Sequence, residues 1–562
     1  MSSSTPVPNP AAPAASPDTS GLFGQPRGLT NLFFTELWER FGYYGMRALL
    51  TLFMVAPIMK GGLAFSNKTA GMIYGTYTMS VYMLSIPGGY IADNFLGARA
   101  TVFWGGVIIA LGYFSLAVHS TTAFYTGLVL VACGTGMLKP NISSMVGSLY
   151  SREDPRRDAG FSIFYMGINI GAFLAPLITG WVAQSDIFKS VLAQNGFDPN
   201  RSWHWAFAVS GGGMVVGLIT YLIQRHRLAD VGHAPAADQP RPWGKLLGVL
   251  AASAVVFSIV RLSDTNPHFA WISYGYFVLP VLAILWFGTR PDVGLKRFAA
   301  VFVFALAYLI FCAVFEQAGS TISLFADQLT DLHTPGWGFF ASMQATSSVL
   351  YWGATVVIAA ALLAIGARGT SIEVQVCKFV VVALLALFFR FMPAIFPSAW
   401  FQSVNSVFVI LLSPIFAWIW IKLGAKQPTS PVKFAIGLLF LASSFVLMIP
   451  AAQLTVAGKV SPLWIVGLFF LQTVGELCLS PVGLSTMTKL APANLVGLVM
   501  GVWFLAAALG NKLAGTLGGE FTATDAKALS NFFLHQALWV VLAFVGLIAI
   551  ARWVKKLMGE VH

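Results

Sequence analysis

The feature that most constrains this chain is a series of long apolar runs, which recur from residue 31 to residue 551. Each run has about 18 residues or more, enough for a helix to cross a hydrocarbon core of roughly 30 Å. Hydrophobic residues make up 57% of the chain and charged residues only 10%, which is too little polar surface for a soluble enzyme. The runs are continuous rather than alternating, which excludes a membrane β-barrel. The sequence therefore predicts an all-α polytopic membrane protein.

The main apolar runs form two groups of six. The first group lies near 31–56, 70–92, 101–118, 123–148, 160–183 and 205–224. The second group lies near 298–320, 400–421, 434–451, 463–487, 496–517 and 532–551. A polar segment at 225–245, rich in Pro, Ala and charge, separates the groups. Four additional apolar segments lie near 246–260, 270–288, 348–366 and 379–396.

This pattern predicts four parts of the chain. Residues 1–28 form a disordered tail without the apolar stretch of a signal peptide. Residues 29–226 form an N-terminal six-helix bundle, and residues 227–292 form an inter-bundle linker with two extra transmembrane helices. Residues 293–558 form a C-terminal six-helix bundle with a two-helix insertion at about 335–397.

The net charge of +12 is explained by membrane topology. Most of the 33 Lys and Arg residues fall in short loops between apolar runs rather than on one basic face, so no nucleic acid is expected as a partner. These loops lie mainly on the side of the N-terminus, and the positive-inside bias predicts that both termini are cytoplasmic. The four cysteines lack metal-ligand spacing, so no metal site is predicted.

Four charged residues lie inside the first apolar run, where each costs at least ~2.5 kcal/mol at the bilayer centre unless it is paired or hydrated. They are Glu36, Glu39, Arg40 and Arg47, and they share one helical stripe roughly 100° wide with Tyr43. Such a stripe can line an aqueous cavity, and two acids beside two bases favour a coupled proton site. The alternative is a structural ion-pair network, although apolar residues could replace such a network at little cost.

Other charged residues also lie in or beside apolar runs. Lys139 precedes Pro140 late in its run, where it could reach a cavity or extend to the membrane interface. Glu316 and Glu476 are isolated acids in the second half, which could serve a cavity or stay neutral and hydrogen-bonded within the bundle. Lys512 lies towards the end of its run, and its side chain is expected to extend to the interface.

The balance of these central charges predicts the kind of ligand. The first half has three basic and two acidic groups, whereas the second half has the acids Glu316 and Glu476. A cavity between the halves would be polarised, and would suit a ligand with one anionic and one cationic end. Side chains that could supply walls and neutral hydrogen bonds, or could simply pack within their bundles, are Tyr43, Tyr44, Tyr82, Asn169, Asn405 and Trp503.

The connection between the second and third runs carries a motif. The sequence GGYIADNFLGAR, from Gly88 to Arg99, places Asp93 at a helix end before a tight loop at Gly97. This motif resembles the inner-loop signature of the major facilitator superfamily, where it serves gating rather than substrate binding. Two groups of six runs across a polar linker agree with that fold, in which two bundles rock around a midplane site.

Four further stretches resemble a narrower family, the proton-dependent oligopeptide transporters. The first, ELWERFGYYG at Glu36 to Gly45, is similar to the ExxERFxYYG element of that family. The others are KPNIS at 139–143, FYMGINIGAFLAP at 164–176 and QTVGELCLSPVGLS at 472–485. The resemblance implies a proton-coupled symporter of dipeptides and tripeptides, in contact with membrane lipid in a bacterial inner membrane. It implies the proton as coupling ion and no cofactor.

The resemblance also implies roles for individual residues. Those implied for proton coupling are Glu36, Glu39, Arg40 and Glu316. Those implied for substrate binding are Arg40, Tyr43, Tyr44, Arg47, Tyr82, Lys139, Asn169, Asn405, Glu476, Ser480 and Trp503. Those implied for gating are the charge pairs Arg47 with Glu316 and Lys139 with Glu476, together with Asp93. The segments near 246–288 match extra helices of bacterial members, whereas the insertion at 335–397 departs from the family pattern.

Other functions stay open at this point. Related families use the same fold for other small anions or drug-like molecules, and a non-transporting peptide receptor could share the scaffold. A multi-span enzyme is disfavoured, because none of the eight histidines lies mid-run beside a partner for catalysis. The sequence has no GxxxxGK[ST] motif, so no nucleotide is expected as a partner and the energy source is an ion gradient.

Overall fold

The structure is a computed structural model that describes residues 18–151, 154–234, 242–265, 295–334, 347–364, 393–491 and 496–559, with a few single positions between them. Within these ranges the chain is almost entirely helical, apart from turns and two isolated β-bridges. Nine helical segments of the described chain are long and apolar enough to cross a membrane. The predicted class, an all-α polytopic membrane protein, is confirmed.

The described part of the first half contains eight α-helices. They are α1 Arg27–Val55, α2 Asn67–Met83, α3 Ser85–Ile91, α4 Gly97–Leu116, α5 Thr121–Ser148, α6 Arg157–Gln184, α7 Asp186–Gln194 and α8 Ser202–Gln224. Helices α1, α6 and α8 pack against one another, α4 packs against α8, and α5 packs along α4. Apart from the short α7, which joins α6 to α8, these helices coincide with the first six apolar runs.

The second half contains nine described helices. They are α9 Trp243–Thr265, α10 Leu295–Phe315, α11 Thr321–Leu329, α12 Ser348–Ala364, α13 Gln402–Leu423, α14 Ser430–Leu454, α15 Leu463–Leu490, α16 Val496–Gly518 and α17 Ala526–Met558. Helices α9 and α12 coincide with the first run of each predicted extra pair. The second run of the first pair, at 270–288, lies outside the described residues. The run at 379–396 also lies outside them, except for isolated positions and its last residues. The predicted domain boundaries stay predictions.

Both ends of the described chain lie on one side of the helices. Where α1 begins, Gly28 packs against Leu149 and Arg227, in the connections that follow α5 and α8. On the opposite side, Asn67 at the start of α2 donates a hydrogen bond to the carbonyl oxygen of Phe521, just before α17. Because α17 starts there and is a single long helix, it ends on the side where α1 begins. We call the side where α1 begins the terminal side, and the side where α2 begins the far side.

Polar contacts tie down the connections on the terminal side. The Tyr150 hydroxyl donates to Gln25 Oε1 at 2.9 Å, which joins the end of α5 to the chain before α1. Arg156 donates to both carboxylate oxygens of Asp154, at 3.1 and 2.9 Å. These hydrogen bonds hold the pKa of the Asp154 carboxyl below its ordinary value. Asp154 and Arg156 thus form a local ion pair just before α6.

The two halves of the chain meet closely on the far side. A Cβ atom built on Gly515 of α16 would lie 2.4 Å from the Gly71 carbonyl oxygen and 2.4 Å from Gly75 Cα, both on α2. Only residues without a side chain allow two helices to approach so closely. A second contact joins α6 to the start of α13, where Trp400 Nε1 donates to the Leu177 carbonyl oxygen at 2.8 Å. The far side is closed in this structure.

We expect Gly515→Ala to open the far side, because the added methyl group would meet backbone atoms of α2 that cannot move independently. Spin labels on Met59 and Val456, which are 87% and 82% exposed on far-side loops, would report a longer distance across the two halves. Gly501→Ala is the matched control, since its Cβ would have no heavy atom within 4 Å. Identical distance distributions for the two variants would contradict the proposed close packing.

Candidate functional site

The first part of the site is an ion cluster on α1. Arg40 Nε lies 3.2 Å from Glu36 Oε1 and also pairs with Glu39 Oε2. All three side chains are buried, with at most 3% exposed. Among the described residues, the second oxygen of each acid and one terminal nitrogen of Arg40 have no hydrogen-bond partner. One guanidinium therefore serves two carboxylates, and the cluster has spare donors and acceptors for a proton or a ligand.

Aromatic rings flank this cluster. The Arg40 guanidinium lies 4.9 Å from the centroid of the Tyr43 ring, within the range of a cation–π interaction. Tyr43 meets Tyr44 edge to face, with ring centroids 5.3 Å apart. Tyr43 is 5% exposed, whereas Tyr44 is only partly buried. Tyr43 thus positions the guanidinium, and Tyr44 presents more of its surface to a ligand.

A second charged group joins the two halves of the chain. Arg47, about two turns beyond Arg40 on α1, forms an ion pair with Glu316, which follows α10. Arg47 Nε also donates to the Tyr74 hydroxyl on α2 at 2.7 Å. The structure therefore brings together the two residues of one predicted gate, with Tyr74 as a partner that the sequence did not single out.

In the second half, an amide holds the Glu476 carboxylate of α15. Asn405 Nδ2, on α13, donates to Glu476 Oε2 at 3.2 Å and to Thr473 Oγ1 at 3.0 Å. The two N–H groups of Nδ2 each donate one hydrogen bond, which fixes the orientation of the Asn405 amide. The amide in turn orients the Glu476 carboxylate. Both predicted residues thus belong to one group, and Thr473 completes it.

Lys139 and Glu476 are not paired in this conformation. Lys139 Nζ lies 4.6 Å from the centroid of the Tyr82 ring, so two predicted substrate residues of the first half meet in a cation–π contact. Among the described residues, the ion pairs do not include Lys139. A gate formed by Lys139 with Glu476 stays a prediction for a different conformation.

Of the three other predicted substrate residues, Trp503 and Asn169 contact uncharged groups. Trp503 is 3% exposed and stacks on Tyr308 of α10, with ring centroids 3.7 Å apart and an interplanar angle of 6°. Asn169 donates to the Tyr165 carbonyl oxygen of its own helix at 3.0 Å. Ser480 is partly exposed on α15. Trp503 therefore packs within the second half, and Tyr308 is the partner that fixes its ring.

The predicted gating residue Asp93 lies on the terminal side, in a π-helical turn at Ala92–Leu96. The next residue, Gly97, has a φ of 75°, in the left-handed region that favours glycine. Arg99 Nε donates to the Val231 carbonyl oxygen at 2.5 Å, which fastens this connection to the chain after α8. Asp93 itself is exposed and forms no ion pair among the described residues.

The expectation for Lys512 is wrong. Its side chain is 3% exposed, and its Nζ donates to Thr76 Oγ1 of α2 at 2.8 Å. The side chain does not extend to the membrane interface, because the glycine contact brings α2 directly over this face of α16. The sequence could not show this, since the covering helix lies more than 400 residues away in the chain.

Sequence reasoning also missed two buried tyrosines, one on α2 and one on α4. Tyr77 of α2 and Tyr113 of α4 are 4% and 0% exposed, and neither hydroxyl has a hydrogen-bond partner among the described residues. The Tyr113 ring packs so closely on Gly42 that a Cβ there would lie 2.7 Å from Cε2. Buried hydroxyl groups are normally hydrogen-bonded. These two therefore add unsatisfied polar atoms to the interior of the first half.

Spanning helices in two halves that meet on one side, with charged residues in facing helices, define a membrane transporter built from two helical bundles. The family model described as the POT family matches residues 99–365 and 385–534. The chain belongs to the POT family. The resemblance given by the four sequence motifs is thus confirmed.

Individual relatives agree with this assignment. The chain is 34% identical to the peptide transporter YePEPT of Yersinia enterocolitica subsp. palearctica over 96% of each chain. It is 33% identical to a di-/tripeptide transporter of Lactococcus lactis subsp. cremoris, over 96% of this chain and 98% of the relative. Among solved structures, a mutant of a peptide transporter POT in complex with alafosfalin has a TM-score of 0.76 at 33% identity, covering 97% of this chain and 98% of the other.

Proposed function

We propose that this protein is a proton-coupled symporter that imports dipeptides and tripeptides by alternating access. The observation that carries the proposal is the α1 cluster, in which Glu36 and Glu39 share Arg40 while buried. Two carboxylates beside one guanidinium leave an excess negative charge in a buried place, and a proton relieves it. The names of the relatives support peptides as substrates. The coupling ion is the proton, and no cofactor takes part.

The steps of transport follow from these groups. Protonation of Glu36 or Glu39 weakens their hold on Arg40. The guanidinium then binds the peptide carboxylate through two parallel hydrogen bonds, with Lys139 as a second cation. At the other end of the peptide, Glu476 accepts hydrogen bonds from the ammonium group. After the peptide leaves, the acid loses its proton and Arg40 returns to both carboxylates.

Access to the site is controlled by the two predicted charge pairs. The Arg47–Glu316 pair is formed in the structure, where the far side is closed. Lys139 lies instead over Tyr82, away from Glu476. Opening of the far side would break the first pair and let the second form on the terminal side. Asp93 takes part in gating at its own connection, which Arg99 fastens to the chain after α8.

We infer that the terminal side faces the cytoplasm of a bacterial inner membrane. The connections and helix ends on this side carry basic residues, among them Arg99, Arg156, Arg225, Arg227 and Lys555. Basic residues in short loops favour the cytoplasmic side. The closed far side then faces away from the cytoplasm.

Uptake of labelled dialanine by the purified protein in liposomes tests the function. An inward proton gradient should drive accumulation that disappears when the gradient is collapsed, and other dipeptides should compete while free alanine does not. Peptide binding without uptake would indicate a receptor. Neither binding nor uptake would indicate another substrate, such as a small anion.

We expect Asn405→Leu to raise the KM for dialanine about tenfold while the maximal rate stays near that of the wild type. The variant removes the donor that orients the Glu476 carboxylate, and a hydrogen bond to a charged group contributes about 1.5–3 kcal/mol. Uptake measured over a range of peptide concentrations separates the two parameters. Asn195→Leu, on an exposed amide of the far side, is the control. A lower maximal rate at unchanged KM would contradict this positioning role.

A further inference from the structure

Lys512 lies at the boundary between the two halves of the transporter, and the transport steps described above do not use it. Its Nζ donates to Thr76 Oγ1 at 2.8 Å, from α16 of the second half to α2 of the first. The side chain is 3% exposed. The hydrogen bond of this buried cation joins the two moving halves. When the halves separate, the environment of the ammonium group must therefore change.

The surrounding contacts show that this bond forms only when the far side is closed. Gly75, the neighbour of Thr76, would place a Cβ 2.8 Å from the Lys512 carbonyl oxygen and 3.0 Å from Gly515 Cα. Nearer the far-side surface, Asn67 Nδ2 donates to the Phe521 carbonyl oxygen at 3.0 Å. The helices are thus in contact at the level of Lys512 and nearer the far-side surface. Separation of α2 from α16 would therefore break the bond and admit water to Lys512.

The energetics of the two states differ in a defined way. In the closed state the ammonium group has lost water, which is costly for a cation in a membrane protein. The Thr76 hydroxyl offsets part of that cost, because a hydrogen bond from a charged donor is stronger than one between neutral groups. In the open state water hydrates the ammonium group, and its hydrogen bond to Thr76 is lost. This hydrogen bond therefore stabilises only the closed state.

From these contacts we propose that Lys512 and Thr76 form a clasp that sets the balance between the closed and open far side, where the Thr76 hydroxyl offsets the dehydration of the Lys512 ammonium group. The clasp is separate from the Arg47–Glu316 pair, which joins α1 to the segment after α10. It rests on the proposed alternating-access function. Its test measures conformation directly, so it does not depend on the identity of the substrate.

Two single substitutions are expected to act differently. Thr76→Val preserves the shape of the side chain but leaves the buried ammonium group without this acceptor, so the ratio of open to closed far side should rise about tenfold. Lys512→Met preserves most of the length but removes the charge together with its dehydration cost. The ratio for Lys512→Met should stay at or below that of the wild type, since an apolar replacement of a buried polar pair is often neutral or stabilising.

The measurement is the distance between spin labels at Met59 and Val456, in a background with the four cysteines replaced, reconstituted in liposomes without peptide. Thr78→Val is the matched control. Thr78 lies on the same helix and is fully buried, whereas Thr76 is partly buried, and the Thr78 Oγ1 donates to the Tyr74 carbonyl oxygen of α2 itself at 2.9 Å. Its ratio should equal that of the wild type.

The double variant Thr76→Val with Lys512→Met completes the test. It should behave like Lys512→Met alone, because the contribution of the Lys512–Thr76 hydrogen bond to the closed state is already lost when the charge is removed. A tenfold rise with Lys512→Met, equal ratios for Thr76→Val and Thr78→Val, or additive effects in the double variant would each overturn the clasp. If the protein failed to transport dialanine while these ratios changed as expected, the proposed substrate would be wrong and the clasp would stand.

Discussion

We expect Glu39→Gln to abolish the accumulation of peptide driven by a proton gradient, with a loss of at least about 100-fold, while exchange of peptide between the two sides is partly retained. Glutamine has the shape of glutamate, and its amide oxygen can still accept a hydrogen bond from Arg40. It cannot take up or release a proton. Binding of the peptide by Arg40 should therefore survive, whereas the coupling of that binding to the gradient is lost.

Two assays with the same liposomes distinguish coupling from binding. Net uptake is measured with the gradient imposed, and counterflow is measured with unlabelled peptide inside and no gradient. Asp186→Asn, an exposed carboxylate at the start of α7, is the control and should behave like the wild type in both assays. Loss of peptide binding in Glu39→Gln, or unimpaired accumulation, would contradict a role in coupling.

Arg47→Met is expected to reduce uptake at least about 100-fold. The substitution leaves Glu316 and the Tyr74 hydroxyl, both partners of Arg47, without their cation. Removal of one member of a buried ion pair typically costs about 3–5 kcal/mol. The pair joins the two halves only when the far side is closed, so its loss destabilises the closed state alone. The variant should therefore stay open to the far side.

Removal of the second charge should restore part of the activity. In Arg47→Met with Glu316→Gln no buried charge is left unpaired, so the far side should close more readily than in the single variant. Spin-label distances across the far side check this directly, and Arg201→Met, on an exposed arginine of the same side, is the control. If the double variant were as open as Arg47→Met alone, the defect would have a cause other than the uncompensated carboxylate.

The parts of the structure that depend on one helix could be predicted from the sequence. Each long apolar run within the described ranges forms a helix, because backbone polar groups in a membrane interior are satisfied only within such elements. The grouping of Glu36, Glu39 and Arg40 followed from the period of an α-helix. The salt bridges of Arg40 have this origin. Sequence reasoning is reliable here because neighbours in space are neighbours in the chain.

Contacts between distant helices could not be predicted in the same way. The Tyr308 ring stacks on Trp503, and Thr473 shares the Asn405 amide with Glu476. A tyrosine or threonine in an apolar run carries no sign of the partner that packing will bring to it. The sequence identified which charges lie in the membrane, but the packing of the helices determined which of them meet.

Helix α1 is continuous from Arg27 to Val55, so Arg40 and Arg47 belong to one unbroken element. They are about 10 Å apart along its axis at 1.5 Å per residue. The Tyr113 ring packs closely on Gly42, which lies between them. A shift of α1 at the proton site beside Arg40 is therefore felt at Arg47, the residue that joins the two halves.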